Sequence, residues 1–481
     1  MAPRPGALAP VLALAALIGV YVVVFGTLTW RQQTNFGTFG FDMGIYDQGI
    51  WLLSRFKAPF DTVRGLNFFA HHVNVIALAF VPFYWLGAGP HFLYLSETIW
   101  MALGALPIWL LARDRLRSRW LPLGLAASYL LYPSLEWINW WHFHPDALII
   151  TPLLFAWWLA TRARWGWFSV AVAVALLCKE DAALAVAALG LALAIHGRRR
   201  VGALTSLVGV GWFLLATKAI IPIANGGASP FYVKELFPGF GDSLSAILVN
   251  LTIHPDRFFS LVTQPDRLTY YRQLLVPVAF MPLAAVEVLL IGLPQAAVNS
   301  ISGHALTHDI RYHYSSIVIA AIYLATVESC ARLGGRVVVR RLLVGLVLAA
   351  SVAANVAWSP SPIGRQYHSG IWAAAQPRHE VMRDALRLVP AGAGVSATYN
   401  LVPHLTHRVH VYEFPNPWVP TNWGASGENP PDPNTADYLV LDITLNGSQE
   451  ALYNRLVAPG GPFKIVFREN GIVVARRVAP R

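Results

Sequence analysis

LAPVLALAALIGVYVVVFGTLT (Leu8–Thr29), followed after a short polar link by FDMGIYDQ (Phe41–Gln48), decides how this chain is read. The first run has about the 20 apolar residues that cross a bilayer as a helix. It lacks the small-residue cleavage site of a signal peptide, so it is expected to stay as a mature membrane helix. The second run sets two carboxylates, Asp42 and Asp47, just beyond the end of that helix. A membrane enzyme working on a lipid-borne substrate would keep its general base there.

Composition extends the reading to the whole chain. Of 481 residues, 56% are hydrophobic and only 13% are charged, against about one quarter charged in an average soluble protein. Mean hydropathy is +0.49. The net charge of +11 is almost all arginine, with five lysines in total. It is concentrated at Arg113, Arg115, Arg117 and Arg119, at Arg162 and Arg164, at Arg198 to Arg200, and at Arg332, Arg336, Arg340 and Arg341. Basic residues in short loops stay on the cytoplasmic side, so the four clusters mark inner loops and a nucleic-acid partner is unnecessary. The excess of arginine over lysine and the load of Ala, Val and Gly point to a bacterial source with GC-rich codons, and hence to the cytoplasmic (inner) membrane. Cys178 and Cys330 lie in apolar runs, which argues against a disulfide, and no metal-ligand spacing exists.

Parity then orders the crossings, because two cytoplasmic clusters are separated by an even number of them. Three apolar stretches, 8–29, 72–88 and 91–112, lie between Arg4 and Arg113. One of them does not cross, and the shortest, opening on HHVNVI, is expected to be an interfacial or re-entrant helix. Two crossings follow from Trp120 to Arg164 with WINWWHFHPD at their outer turn, and two from Trp165 to Arg200 with CKED at theirs. A further crossing, 201–222, leads to an outer loop that contains NGGASPFY. The segment 274–302, interrupted by Pro277, Pro282 and Pro294, makes two short crossings or none. DIRYHY is then outside, 315–331 returns, and 337–358 exits. The fold class is a polytopic α-helical membrane protein with about 9 to 11 transmembrane helices and one re-entrant or interfacial helix.

Residues 1–358 form the membrane domain and 359–481 a small extracytoplasmic α/β domain. In the latter, helices are expected near 379–388 and 449–456, and strands in GVSATY, HRVHVYEF, ADYLVLDI and FKIVFRENGIVVARR. The Pro- and Asn-rich stretch 414–434 reads as an irregular loop. No internal repeat is visible.

Polar constellations thus converge on the outer face: Asp42 with Asp47; His71 with His72; His142, His144 and Asp146; Lys179, Glu180 and Asp181; and Arg311, His313 and Tyr314. An ionisable group at helix depth costs about 2.5 to 3.5 kcal/mol on insertion scales, so several of them in so apolar a chain imply a polar cavity. Plainer readings exist for each. Asp42 and Asp47 could be solvated loop residues or helix caps, Trp137, Trp140 and Trp141 an aromatic belt, and Lys179 with its two acids a neutralised hairpin tip. Arg311 and His313 could be interfacial residues. The spacing H-x-H with a nearby carboxylate also suits a divalent metal, as a weak signal. Metal ligation therefore stays unassigned, and no cofactor is certain.

The order FDMGIYDQ, a His opening a short helix, ALPIWLLARDRL, HFHPDAL, KEDAAL and RYHYSS resembles a domain-of-unknown-function family of bacterial and archaeal multispanning proteins. The resemblance spans roughly residues 20 to 330. That family is similar in layout to the GT-C superfamily of membrane glycosyltransferases, which have an acidic motif in the first outer loop, a His-Pro-Pro helix on the outer surface and a second acid in the next outer loop. Here Phe41-Asp42, His71 and Asp146 stand at those places. Met43 replaces the motif's second acid, and His71 is followed by His-Val-Asn rather than by prolines.

The resemblance implies transfer of a sugar from a polyprenyl-phosphate donor to a cell-envelope glycan, lipid or protein acceptor at the outer face, with inversion. Asp42 would be the base, with Asp47 or Asp146 as second choice; Arg311, Lys179 and His313 would hold the donor phosphate; His71, His142, His144, Glu180, Asp181 and Tyr314 would bind sugar or acceptor. Two other classes fit less well. A lipid or polysaccharide transporter or flippase would keep binding residues near the midplane and often show paired halves. A non-catalytic receptor or assembly factor would tolerate a neutral residue at 42.

Overall fold

Among the described residues, five helices are long and apolar enough to cross a bilayer: Ala9–Thr34, Pro90–Leu116, Arg199–Ala224, His313–Leu333 and Val337–Trp358. They belong to a computed structural model that describes residues 8–228, 236–237, 239–369, 371–419, 432–445 and 447–478. Shorter apolar helices, among them Leu121–Leu130, Ala147–Thr161, Trp165–Cys178 and Ala182–Ile195, pack between the long ones. Lipid supplies little hydrophobic drive for helices to associate, so close packing of small residues takes its place. Ala182–Ile195 and Arg199–Leu215 show this. A Cβ added at Gly190 or Gly202 would lie 2.4 Å from the other's carbonyl oxygen, and one at Gly209 2.6 Å from that of Ala183.

The arginine clusters meet at one end of the bundle. Arg162 Nε is 2.8 Å from Asp114 and Arg115 Nε 2.8 Å from Glu328, while Arg332 pairs with Glu287. Arg340 donates to the Leu116 carbonyl at 2.5 Å.

One segment differs from expectation, and another, expected to make two short crossings or none, takes a definite form. The stretch after Ala224 is helical over Leu244–Ile253 and Pro255–Val262, because its apolar residues recur at helical spacing and Ser243 caps the first helix; NGGASPFY falls partly outside the described residues. The proline-interrupted segment forms a helical hairpin. Pro265–Leu275 leads into a reversal at Ala279 and Phe280, both in the left-handed region with φ of 51° and 55°, and the chain returns through Leu293–Ile301. Arg267 closes the hairpin on the Ser302 carbonyl at 3.0 Å. The stretch beginning HHVNVI is the short helix Val75–Trp85.

The C-terminal residues form a five-stranded mixed sheet. The hairpin strands β1 (Phe60–Asp61) and β2 (Leu66–Asn67) precede it in the chain. The sheet consists of β3 (Val395–Ala397), β4 (Val411–Glu413), β5 (Tyr438–Asp442), β6 (Phe463–Glu469) and β7 (Ile472–Arg477), in the order β4-β3-β5-β7-β6. Strand β3 is parallel to both neighbours, and β7 antiparallel to β5 and β6. Helices Arg378–Arg387 and Glu450–Val457 cover its two faces. Much of the stretch 414–434 lies outside the described residues.

The sheet's core is shared with the stretch that follows the first long helix. Phe36, Ile45 and Val63 are buried among Val381, Met382, Val402, Val440 and Val474. Gln48 fastens the two parts: its Nε2 donates to the carbonyls of Arg408 and Val409 at 3.2 and 3.1 Å, and its Oε1 accepts from the amides of Thr62 and Val63 at 3.0 and 3.2 Å. Thr62 Oγ1 donates in turn to the Val411 carbonyl at 2.7 Å. Glu136, buried beneath, accepts from Asn355 at 2.8 Å and from Ser359, tying Pro133–Trp140 to the end of the last long helix.

Gln48→Ala is expected to strand several buried donors and acceptors at about 1 to 3 kcal/mol each. The purified protein should unfold at lower temperature and lose its C-terminal part faster to protease. An unchanged melting temperature would show that Gln48 does not carry the docking.

Candidate active site

A π-helical turn at Gly40–Gly44 re-aims the chain after the first long helix and sets the Asp42 side chain inward. Turns of this kind recur at functional sites. Asp42 keeps 20% of its side-chain exposure and faces two buried histidines from the HFHPD turn. Its Oδ2 is 3.6 Å from His142 Nδ1 and its Oδ1 3.4 Å from His144 Nε2.

The proton positions follow from the hydrogen bonds. His144 Nδ1 lies 3.0 Å from the His142 carbonyl, which can only accept, so that nitrogen carries hydrogen. Burial works against a charged His144, but the negative charge of Asp42 and the bond to it raise its pKa above the ordinary imidazole value. This favours the charged form of His144, an imidazolium facing a carboxylate. Burial likewise opposes ionisation of Asp42, and the His144 charge with the two facing histidines outweighs it, holding the carboxyl well below its usual range. Burial keeps His142 below the ordinary value and hence neutral.

From this pair the polar groups run on through stacked rings. His313 stacks on His144 with centroids 3.8 Å apart, and its Nε2 is 3.9 Å from Asp146 Oδ1. Asp146 Oδ1 accepts from Lys179 Nζ at 2.7 Å, and Asp181 Oδ2 lies 3.4 Å from the same ammonium. The ammonium sits 5.8 Å from the Tyr314 ring centroid. Asp146, Lys179, Asp181, His313 and Tyr314 together line a narrow cleft. Glu180 binds the neighbouring turn: its Oε1 is 2.7 Å from His72 Nδ1 and its Oε2 accepts from the Val73 amide at 3.0 Å. His71 stacks on His72 at 4.1 Å.

Two residues of the expected set lie elsewhere. Asp47 is fully buried away from the cleft. It accepts from the Tyr84 hydroxyl at 2.5 Å and from Thr406, with His407 Nε2 at 3.2 Å. These contacts tie the loop after the first long helix to the stretch just before β4, and its full burial keeps it from a substrate. Arg311 is exposed and held by Asp309, its Nη2 2.6 Å from Oδ2, in a separate cavity. Asp309 stands two residues away and absorbs the charge expected for a phosphate.

Other members were not evident beforehand. Glu97, a lone acid in an apolar helix, accepts from the His144 amide at 3.0 Å and fixes the turn that carries it. Its cost at helix depth was the signal that could have found it. Glu413, at the end of β4, has no such signal. Its carboxylate reaches the Asp42 turn so closely that a Cβ on Gly40 would lie 2.8 Å from Oε2. Burial, and next the Asp42 charge, raise the Glu413 carboxyl to about 7. Phe39 packs edge-on against both His142 and Tyr399, at 4.9 and 5.2 Å. Among the described residues, no three of His, Cys, Asp and Glu are grouped to hold a metal ion; His142 and His144 are turned on Asp42 itself.

The profile of a family described as predicted membrane proteins, DUF2079, matches residues 33–474. The chain belongs to that family. No curated protein matches it. Among solved structures, this DUF2079 protein is similar to ArnT from Cupriavidus metallidurans in the apo state, with a TM-score of 0.53 and 14% identity over 97% of this chain and 99% of that one. The archaeal oligosaccharyltransferase AglB from Archaeoglobus fulgidus, solved with an inhibitory peptide and a dolichol-phosphate, aligns with a TM-score of 0.42 at 14% identity, covering 97% of this chain and 74% of that one. The DUF2079 chain thus has the GT-C-like layout, with a C-terminal sheet on its helical bundle.

Two outcomes are expected. Lys179→Met leaves Asp146 buried without its cation and should cost about 3 to 5 kcal/mol, read as a fall in melting temperature that Lys179→Met/Asp146→Leu partly reverses. The pH dependence has a definite sign. The stabilisation from His144 is complete below its unfolded pKa of about 6.5 and is lost as pH rises through the raised folded value, whereas that from Asp42 is present above about 4 and is lost as pH falls through the depressed folded value. The melting difference between wild type and His144→Gln should therefore be greatest near about pH 5 to 6 and shrink toward about pH 9. A difference that widens with pH contradicts the imidazolium assignment.

Proposed function

We propose that this protein is an integral membrane glycosyltransferase that moves a sugar from a polyprenyl-phosphate donor to a hydroxyl acceptor at the outer face of the bacterial cytoplasmic membrane. The observation that carries the reading is Asp42 facing His142 and His144 at 3.6 and 3.4 Å beside the cleft of Lys179, His313 and Tyr314. The arginine-rich end lies opposite, as it would if it faced the cytoplasm. The ArnT-like fold supports the layout and leaves the chemistry to the site.

In the reaction, the acceptor oxygen bonds to the anomeric carbon as the bond from that carbon to the phosphate oxygen breaks. The bonding pair leaves with the lipid phosphate, and the configuration inverts. The hydroxyl becomes strongly acidic only as its oxygen begins to bond, so a carboxylate of low pKa suffices to take its proton. Asp42, aligned by its two histidines, fills that role, and its negative charge also favours the positive character developing at the anomeric carbon. Lys179 and His313 face the leaving phosphate. Burial raises the Asp181 carboxyl to about 7 against the opposing Lys179 charge, so Asp181 can take a proton when phosphate arrives, leaving Lys179 paired with Asp146 alone and turned in part to the phosphate oxygens. The scheme does not require a divalent cation, and a chelator in the transfer assay separates a base-only site from a metal-assisted one. Polar groups gathered at one end, rather than at mid-bundle, favour transfer over transport.

Native mass spectrometry of the detergent-purified protein is expected to reveal a co-purified polyprenyl-phosphate sugar. Asp42→Asn should keep that lipid and the fold yet lower transfer by about 10²- to 10⁴-fold. Bulk phospholipid alone, or transfer retained by the variant, would overturn the assignment.

A further inference from the structure

We infer that a second cavity, next to the Asp42 cluster and distinct from its cleft, binds an uncharged pyranose and is the acceptor subsite. The cavity has a volume of about 790 Å³, in the range of small-molecule sites. Trp137, Trp140, Tyr270 and Trp358 form much of its wall.

Three of these rings are fixed by hydrogen bonds that use their polar atoms. Trp137 Nε1 donates to the Trp358 carbonyl at 2.5 Å and Trp140 Nε1 to that of Ile371 at 2.8 Å. The two indoles meet edge to face with centroids 5.1 Å apart. The Tyr270 hydroxyl lies 3.0 Å from both Ser315 Oγ and Asn299 Nδ2. What remains for a ligand is rigid π surface on the half-buried Trp140, since Trp137 and Tyr270 are themselves buried and the Trp358 ring is faced by Arg272 at 5.9 Å; such a surface attracts the positively polarised C–H groups on the apolar face of a pyranose. A preorganised wall loses little entropy on binding.

The polar part of the cavity argues against phosphate. Arg311 gives its Nε to both oxygens of Asp309, at 3.1 and 3.0 Å, and its Nη2 to one of them. Asp266 is matched by Arg267 at 2.5 Å and by His308 at 3.1 Å. Each lining charge faces an opposite one, so an incoming anion would compete with carboxylates already in place. Hydroxyl groups face no such competition: they can donate to Asp309 and Asp266, whose side chain is 52% exposed, and accept from Arg311 and Gln273. A lipid tail would meet these same groups unpaired, at a desolvation cost.

The location supplies the role. Arg311 stands two residues before His313, and Trp140 two before His142, so the cavity wall is within about 7 Å of chain from the reacting cluster. Between them, Trp141 packs edge-on to Tyr312 at 4.6 Å and against His142 at 4.9 Å. A glycan seated on the tryptophans could direct a hydroxyl past this pair toward Asp42. The acceptor role rests on the transferase reading; the binding of a sugar does not.

The test uses full-length protein in nanodiscs, with tryptophan fluorescence and saturation-transfer NMR as readouts. Neutral trisaccharides of glucose, galactose, mannose and N-acetylglucosamine are compared with geranylgeranyl phosphate and inorganic phosphate. At least one neutral trisaccharide should bind, with affinity weakened about tenfold or more by Trp140→Ala and by Gln273→Ala, each loss matching about 1.4 kcal/mol. Asp42→Asn should leave this binding unchanged. If Trp140→Ala fails to fold, the half-buried Gln273 carries the comparison. Absence of binding by any neutral trisaccharide overturns the inference, as does binding that neither variant weakens. A loss confined to geranylgeranyl phosphate also overturns it and assigns the cavity to the carrier lipid. Sugar binding of the expected kind alongside undiminished transfer by Asp42→Asn would sink the base assignment and leave this site standing.

Discussion

An ionised carboxylate withdrawn from water has to be matched by positive charge and hydrogen bonds, and the polar end of this protein is arranged around that requirement at Asp42. The match comes from His144, which is oriented by the His142 carbonyl and by Glu97. His144 stacks on His313, which approaches Asp146, which binds Lys179. Four separate turns of the chain thus meet because none of their charges could remain apolar-facing alone. The same logic in miniature operates at the opposite end, where Arg115, Arg162 and Arg332 each find an acid on another helix.

Much of this was legible in the sequence because two coarse rules suffice. Apolar length finds the long helices, and arginine parity puts FDMGIYDQ, HFHPD, KED and RYHY on one side. What remained hidden were the partners that cancel a charge. Asp47 looked like a second catalytic acid, but its ligands Thr406 and His407 come from a distant part of the chain. Glu413 carried no local cue at all. Asp309 did carry one, since a carboxylate two residues before Arg311 is within reach of a guanidinium, and weighing it would have lowered the expectation of a phosphate there. The helices 244–262 were obscured by Pro255 and by polar residues such as Ser243 and Asp256 that the structure places at helix starts, where they are tolerated.

The likeness to ArnT at 14% identity fits this division of labour. A layout of apolar helices tolerates wholesale exchange of one apolar side chain for another, provided volume and pattern persist. The polar cluster has no such freedom, since each member is the counterpart of another. The part of the chain that specifies the architecture and the part that specifies the chemistry are therefore largely different residues, and they are joined at the HFHPD turn, where tryptophans anchor the helix end and histidines face Asp42.

The shared core of Phe36, Ile45 and Val63 with the C-terminal sheet also has a temporal side. Thr62 and Val411 bond across 349 positions, so at about 5 to 20 residues per second the ribosome takes roughly 20 to 70 seconds to supply the second after the first. Strand β7, the last made, lies inside the sheet between β5 and β6. The loop that bears Asp42 therefore stays uncovered until these strands follow, and the site is completed only once β7 has been made. A chain that stops short of Ile472 would carry every residue of the Asp42 cluster and still lack the means to close over it.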